Sequence, residues 1–395
     1  MKTSYEFIIV GCGGLGSAAT YWLSRQAGSE VLALEQFRIG HDNGASQDHS
    51  RIIRLSYHTP EYTALTPHTY SAWDEVEAES GQQLVFRTGG LDIAPAGYTH
   101  LLDGYADSMR SAGIPFDTLD HRQTMERYPQ WRLNDGDTAL YQSESGLVDP
   151  RRAIQTQVAL ARAHGATVLD ETPVREIRPT SDGVDVITDA GTFHAARMVV
   201  TSDAWTNQVL AGAGVHIPLT VTQEQVTYWA TPNLRDFAPD RFPIWIWHGG
   251  DTGWFYGFPV YGEVATKAGE DVGGDVVTPE TRSFEPNPRP HDKLVRFLSE
   301  RLPGSLGPVL YTKTCLYTMT PDRDFVLDRL PEYPQITVGL GAAHGFKFSC
   351  LIGQILSDLA SEGDTRYPVA SFGLNRPALT DPSFVPSFNL TAVSL

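Results

Sequence analysis

Cysteine, basic charge and long apolar runs are all scarce in this chain, and each shortage excludes a class of protein. The three cysteines, Cys12, Cys315 and Cys350, are an odd number with no Cys-x-x-Cys pair, which argues against a disulfide framework and a structural zinc site. No metal centre is expected. Lys and Arg total 30 against 47 Asp and Glu, a formal net charge of -17, so the basic face that nucleic acid requires is missing. No apolar run approaches the ~20 residues of a membrane span, and the first apolar strand starts too near Met1 to leave room for a signal peptide. The expectation is a cytoplasmic protein with neither nucleic acid nor membrane as partner. Internal repeats and low-complexity tracts are lacking too.

What is present is an ordinary globular composition, 41% hydrophobic and 19% charged over 395 residues, long enough for two domains. Near its start the apolar run Phe7-Ile8-Ile9-Val10 reads as a short buried strand and leads into Gly11-Cys12-Gly13-Gly14-Leu15-Gly16. Ala18, Ala19, Trp22 and Leu23 then recur at helical spacing. Strand, glycine turn and helix in that order make a dinucleotide-binding fingerprint. Gly11 permits the tight turn, Gly13 lets the backbone approach a pyrophosphate, and Gly16 lets the helix pack on the strand. The helix N-terminus around Gly14 offers N–H groups to an anion. A second apolar run, Val31 to Leu34, ends in Glu35, where a carboxylate can hydrogen-bond a ribose hydroxyl. Between NAD and FAD this fingerprint does not choose.

Farther along, Arg51 and Arg54 bracket two isoleucines. In a helix they would share a face, in an extended chain they would splay, and as structural ion-pairing residues they would carry no chemistry. Helices are expected over 61–80, with Pro67 bending it, over 99–112, and after Gly146-Leu147-Val148-Asp149-Pro150. Strands are expected over 86–94, 167–170, 174–177, 184–188 and 197–201. From 218 to 302 alternating strands carry many aromatics, among them Trp245, Trp247, Trp254, Phe255 and Tyr256; this spacing suits a sheet core, and an aromatic wall also suits an apolar pocket. A loop over 269–290, a helix over 291–301 and a strand over 309–314 follow, the last leading to Cys315. A second strand, glycine turn and helix runs from Ile336 through Gly341 into Leu351, Ile352 and Ile355.

Taken together, Gly11 to Gly16 with Glu35, Ser50-Arg51-Ile52-Ile53-Arg54, Trp254-Phe255-Tyr256-Gly257-Phe258-Pro259, Lys267, Cys315-Leu316-Tyr317, Asp324-Phe325-Val326-Leu327-Asp328 and His344-Gly345-Phe346-Lys347-Phe348-Ser349 resemble a known family in order and spacing. It is the monomeric sarcosine oxidase and N-methyltryptophan oxidase family of D-amino-acid-oxidase-like flavoproteins. The resemblance covers nearly the whole chain. It implies an α/β chain with an α+β substrate part: a Rossmann-type FAD-binding domain (1–85, 145–217 and 310–375) and a second, mainly antiparallel-sheet substrate domain (86–144 and 218–309). A C-terminal tail (376–395) completes it. The implied enzyme is a monomer that oxidises the C–N bond of an N-methyl, N-alkyl or cyclic secondary amino acid to an imine, with O2 reduced to H2O2. Fructosyl amino acid oxidation and pipecolate- or proline-type imino acid oxidation are the neighbouring activities, and the glycine turn alone leaves an NAD-dependent dehydrogenase open.

Residue by residue, the resemblance implies FAD attached covalently through Cys315, a residue that otherwise reads as a small buried hydrophobe. Arg54 and Lys347 match the cations that hold the substrate carboxylate, a task suited to a planar fork and a point charge. Arg51 and Lys267 match groups over the two faces of the flavin, where a fixed ammonium at Lys267 would stabilise developing superoxide. Tyr256 and Tyr317 match residues lining the substrate site, and Ser50 and Val174 fall among the cofactor contacts. The turn at His344 and Gly345 would aim N–H groups at the flavin's pyrimidine oxygen. The chain departs from the family at Ser46-Gln47, in place of a histidine pair, at Glu224 in place of arginine, at Asp271 in place of histidine, and at Asp203 in place of glycine. Glu224 and Asp271 imply acids near the amine end of the substrate, and Asp203 implies an altered FAD contact.

Overall fold

The computed structural model describes residues 2–387. Its strand Ser4–Val10 sits inside an eight-stranded sheet, where Ile8 and Ile9 are buried on opposite faces, as a continuous apolar run in a parallel sheet requires. This strand pairs in parallel with Val31–Leu34 on one side and with Gly191–Val200 on the other. Thr167–Leu169 and Ile336–Leu340 extend the parallel set outward. Gly191–Val200 is long enough to serve two neighbours on one edge: the antiparallel hairpin Val174–Pro179 and Val184–Thr188 takes its first half, Ile336–Leu340 its last residues. The helices Gly14–Ala27, Pro150–Ala163 and Ser349–Ser361 pack together in one core. A Cβ on Gly353 would lie 2.4 Å from that of Ala18, so this glycine sets how closely two of those helices approach. The expected α/β, Rossmann-type architecture is the observed one.

The helix Pro60–Ser80 continues through Pro67. Proline cannot donate to the Thr63 carbonyl one turn back, and the Thr66 hydroxyl donates there instead, at 3.1 Å.

A second, nine-stranded sheet is mainly antiparallel and includes Gly90–Ala94, Thr220–Trp229, Ile244–His248, Trp254–Phe258, Thr266–Glu270 and Val309–Met319. Alternation along its strands sorts the aromatics. Trp245, Trp247 and Phe255 share one core with Trp131 and Trp229, while His248, Trp254 and Tyr256 face a cavity lined by both sheets.

Local expectations are corrected in several places. The strand expected over 86–94 is two strands in different sheets, Val85–Arg87 and Gly90–Ala94, because Gly89 turns the chain between them at φ 73°. Val85–Arg87 instead joins Gly146–Val148 and Arg51–Ile53 in a three-stranded sheet. The strand carrying Cys315 runs on to Met319, which puts the cysteine inside it rather than at its end. Within the expected loop 269–290 lie the end of Thr266–Glu270 and the short strand Asp275–Val276. The next helix starts early, at Pro288, capped by Asn287 accepting the Arg289 N–H. In the expected tail, Arg376 pairs with Asp322 and the Ser387 N–H reaches the Pro321 carbonyl, while 388–395 lie outside the described residues. Among the described residues no helix is long and apolar enough to cross a membrane.

Candidate active site

One cavity of about 1200 Å3 runs from the first glycine turn to the second. It is lined by Gly11, Gly13, Gly14, Glu35, Ser50, Arg51, Arg54, Val174, Tyr256, Lys267, Cys315, Tyr317, His344, Gly345 and Lys347. Gly16 does not line it, and its place is structural: a Cβ there would fall 1.8 Å from the Gly11 carbonyl oxygen. Gly11 itself has φ 92°, which favours glycine. No side chain caps the helix that begins at Gly14, although the Gly14 N–H donates to Ser46 Oγ at 2.9 Å. Ser46, a departure from the family pattern, thus braces the turn. Glu35 is buried at the end of its strand and accepts the N–H groups of Cys12 and Phe37 at 2.8 and 3.0 Å.

Arg51 begins the strand Arg51–Ile53, so the chain is extended and the two arginines splay. Arg51 donates to the carbonyls of Ser50 and Ala45, both at 2.9 Å. Arg54 donates to Asp92 Oδ1 at 2.6 Å and lies over the rings of Tyr57 and Tyr105. Asp92 is held in turn by the Ser56 hydroxyl at 2.6 Å and by His248 Nε2 at 2.8 Å.

Lys267 projects from Thr266–Glu270 onto Asp48 Oδ2 at 2.6 Å and donates to Ser50 O at 2.8 Å and Ser50 Oγ at 3.2 Å. Burial lowers its ammonium to about 8, with Asp48 opposing the fall. Burial alone would raise the Asp48 carboxyl, but Lys267 and Arg51 hold it well below the usual carboxylate range. At the far end Lys347 donates to the His344 carbonyl at 2.9 Å, and burial, reinforced by the Arg54 charge, lowers it to about 7. Its backbone carbonyl accepts the Trp73 indole N–H at 2.9 Å, which fixes where the side chain starts. Ala342 and Ala343 just before are both at positive φ, 43° and 71°, a strained turn of the kind found at functional sites.

Burial pushes the Cys315 thiol up to about 11, against the pull of Arg51. Tyr256 and Tyr317 are likewise raised, first by burial. The acids expected near the amine end differ from expectation. Glu224 does not line the cavity: its carboxylate accepts the Thr222 hydroxyl at 2.6 Å and the Gly273 and Gly274 N–H groups at 3.0 and 2.9 Å. Asp271 does line it, paired with Arg323 at 3.2 and 3.3 Å. Sequence reasoning missed Asp48, Asp92, His248 and Arg323. Asp92 had a readable signal, being the one acid in an otherwise apolar strand.

Residues 6–359 match the family described as FAD dependent oxidoreductase. The chain belongs to this family. A monomeric sarcosine oxidase of Streptomyces avermitilis is 35% identical over 389 residues, 96% of this chain and 99% of that one. An N-methyl-L-tryptophan oxidase of Yersinia pestis is 30% identical over 376 residues, 94% and 99%. NikD, described as an unusual amino acid oxidase essential for nikkomycin biosynthesis, superposes with a TM-score of 0.83 at 28% identity, over 94% of this chain and 98% of its own. The dinucleotide of this oxidoreductase is therefore FAD, and the NAD-dependent dehydrogenase left open by the glycine turn is set aside. The residues present fit FAD: the turn admits no Cβ at Gly16, and the N-cap residue, Gly13, has no side chain to compete for the helix N–H groups. Among the buried polar atoms of cavity residues that lack hydrogen-bond partners among the described residues are Gln47 Oε1, Asp203 Oδ2 and His344 Nδ1. Asp203, at φ 47°, has its carboxyl raised to about 6 by burial.

Proposed function

We propose that this FAD-dependent oxidoreductase oxidises the C–N bond of a secondary amino acid, N-methyl, N-alkyl or cyclic, and reduces O2 to H2O2. Lys347 carries the reading. It is a half-buried ammonium facing the cavity, and its one hydrogen bond among the described residues is to a carbonyl. An ammonium in that position is costly without a counter-ion, and a substrate carboxylate supplies one. Arg54 lines the same cavity and supplies a second cation for the carboxylate. The relatives named for sarcosine and N-methyl-L-tryptophan support an N-methyl amino acid as substrate.

Bound FAD would accept the electron pair from the carbon beside nitrogen and pass it to oxygen. The chain's own groups do the rest. Lys347 and Arg54 anchor the carboxylate, Tyr256 and Tyr317 wall the substrate and exclude water, and Lys267 holds a fixed positive charge for the oxygen step. Gly11, Gly13, Gly14, Glu35 and Val174 hold the nucleotide, and Cys315 tethers its ring. In this reading residues 86–144 and 218–309 form the substrate domain, and the chain acts as a monomer.

A peroxidase-coupled assay of the FAD-loaded protein with sarcosine, N-methyl-L-tryptophan and pipecolate tests the reading. Peroxide formed with at least one secondary amino acid is expected. Absence of oxygen uptake across a panel of N-alkyl and cyclic amino acids would overturn it.

A further inference from the structure

We infer that Asp48 is a positioning residue for the oxygen step, its carboxylate clamped by Tyr228 so as to hold the Lys267 ammonium charged and directed at Ser50. This rests on the role given to Lys267 above. The two charged side chains are almost fully enclosed, at 2% and 3% relative exposure, with the carboxylate 2.6 Å from the ammonium. Asp48 has φ 89°, a conformation that a non-glycine residue holds only when its surroundings fix it. They do: Oδ1 accepts the Tyr228 hydroxyl at 2.5 Å and the His49 N–H at 2.8 Å. Tyr228 lies directly opposite Lys267 in the ladder between Thr220–Trp229 and Thr266–Glu270, so the clamp and the ammonium occupy one rung.

Of the other groups facing this pair, a second cation opposes the lysine's charge and two aromatic faces favour it. Arg51, 3.7 Å from Asp48, disfavours a second cation, and the Phe258 and Tyr228 rings lie 4.5 and 5.8 Å from Nζ. Further titratable neighbours are the Cys315 thiol, which burial keeps protonated, and the His49 imidazole and Tyr311 hydroxyl, both of which face Glu263. Oxygen becomes H2O2 by gaining two electrons, which the reduced cofactor supplies, and two protons, which the reduced cofactor and solvent supply. Negative charge therefore appears on oxygen whenever an electron arrives ahead of its proton. A charged Lys267 stabilises that moment, and a neutral amine does not.

Asp48→Asn and Asp48→Gly both remove the carboxylate. The first keeps its shape, and the second relieves the positive φ, so a folding failure of one leaves the other. Two readouts are needed on FAD-loaded protein. One is the pH titration of the visible flavin absorption without substrate, and the other is the pH profile of reoxidation of the pre-reduced enzyme. In both variants the lysine transition, near 8 in the parent, is expected to move down by about one pH unit or more. At pH 8 reoxidation is expected to slow about fivefold or more while anaerobic reduction by substrate changes less than about twofold. Unchanged titration and reoxidation profiles, or reduction slowed as much as reoxidation, would overturn the inference. Lys267→Met separates the two layers. If it slows reoxidation while the Asp48 variants do not, only the role of Asp48 falls; if it leaves reoxidation unchanged, the role of Lys267 falls with it.

Discussion

Arg54 and Asp92 meet at 2.6 Å with both side chains nearly enclosed, so the arginine enters the cavity with its charge already shared. Asp92 is itself held by Ser56 and His248, which makes Arg54 a fixed anchor rather than a mobile one. Removing one member of a buried pair strands the other. Asp92→Ala is expected to destabilise the protein by about 3–5 kcal/mol, read as a shift in its urea unfolding midpoint. The exposed pair of Arg175 and Asp189, at 2.6 Å, provides the control: Asp189→Ala is expected to leave that midpoint unchanged.

Gly16 allows the chain no alternative residue. A Cβ there would overlap the Gly11 carbonyl oxygen, so Gly16→Ala is expected to lower the flavin-to-protein absorbance ratio at least about tenfold. Gly13→Ala is milder, since its Cβ meets the Ser46 hydroxyl at 3.2 Å. A Gly16→Ala protein that purifies with full flavin would contradict the cradle described above.

In the role proposed for it Lys347 binds an anion in its protonated form, and burial lowers it to about 7. As pH rises through that value the free enzyme loses the ammonium, so affinity for a carboxylate is lost in the same direction. The Kd of a small carboxylate inhibitor is expected to be flat below pH 7 and to rise about tenfold per pH unit above it. Lys347→Met should flatten the profile at the weak-binding level.

If Cys315 tethers the flavin, acid precipitation of the parent protein carries the yellow colour into the pellet. Cys315→Ser is expected to release all of it to the supernatant.

Much of the glycine-turn end of the cavity was legible because it is local. Gly11 to Gly16, Glu35 and the turn at His344 and Gly345 are each written in a short stretch whose backbone conformation dictates its residues. The pairings that set the chemistry are of another kind. Asp92 lies 38 residues from Arg54, and Lys267 lies 217 residues from the Ser50 it touches; sheet register brings each pair together, and no window of sequence records register. The same holds for Trp254-Phe255-Tyr256, where alternation predicted that neighbours would face opposite ways but not which way was the cavity. Gly89 went unread as a break although Gly89-Gly90 is itself a turn signal, because strand-like runs flank the pair on both sides.

The strand Thr220–Trp229 has the lysine strand on one side and the cysteine strand on the other, with Tyr228 opposite Lys267 and Glu224 opposite Cys315. A single deletion within it would reverse inward and outward positions along both borders at once. Neither residue can be mislaid alone. A change of length is therefore expected to cost more in this strand than in a connection such as 277–286, where an added residue changes a path without turning any side chain around.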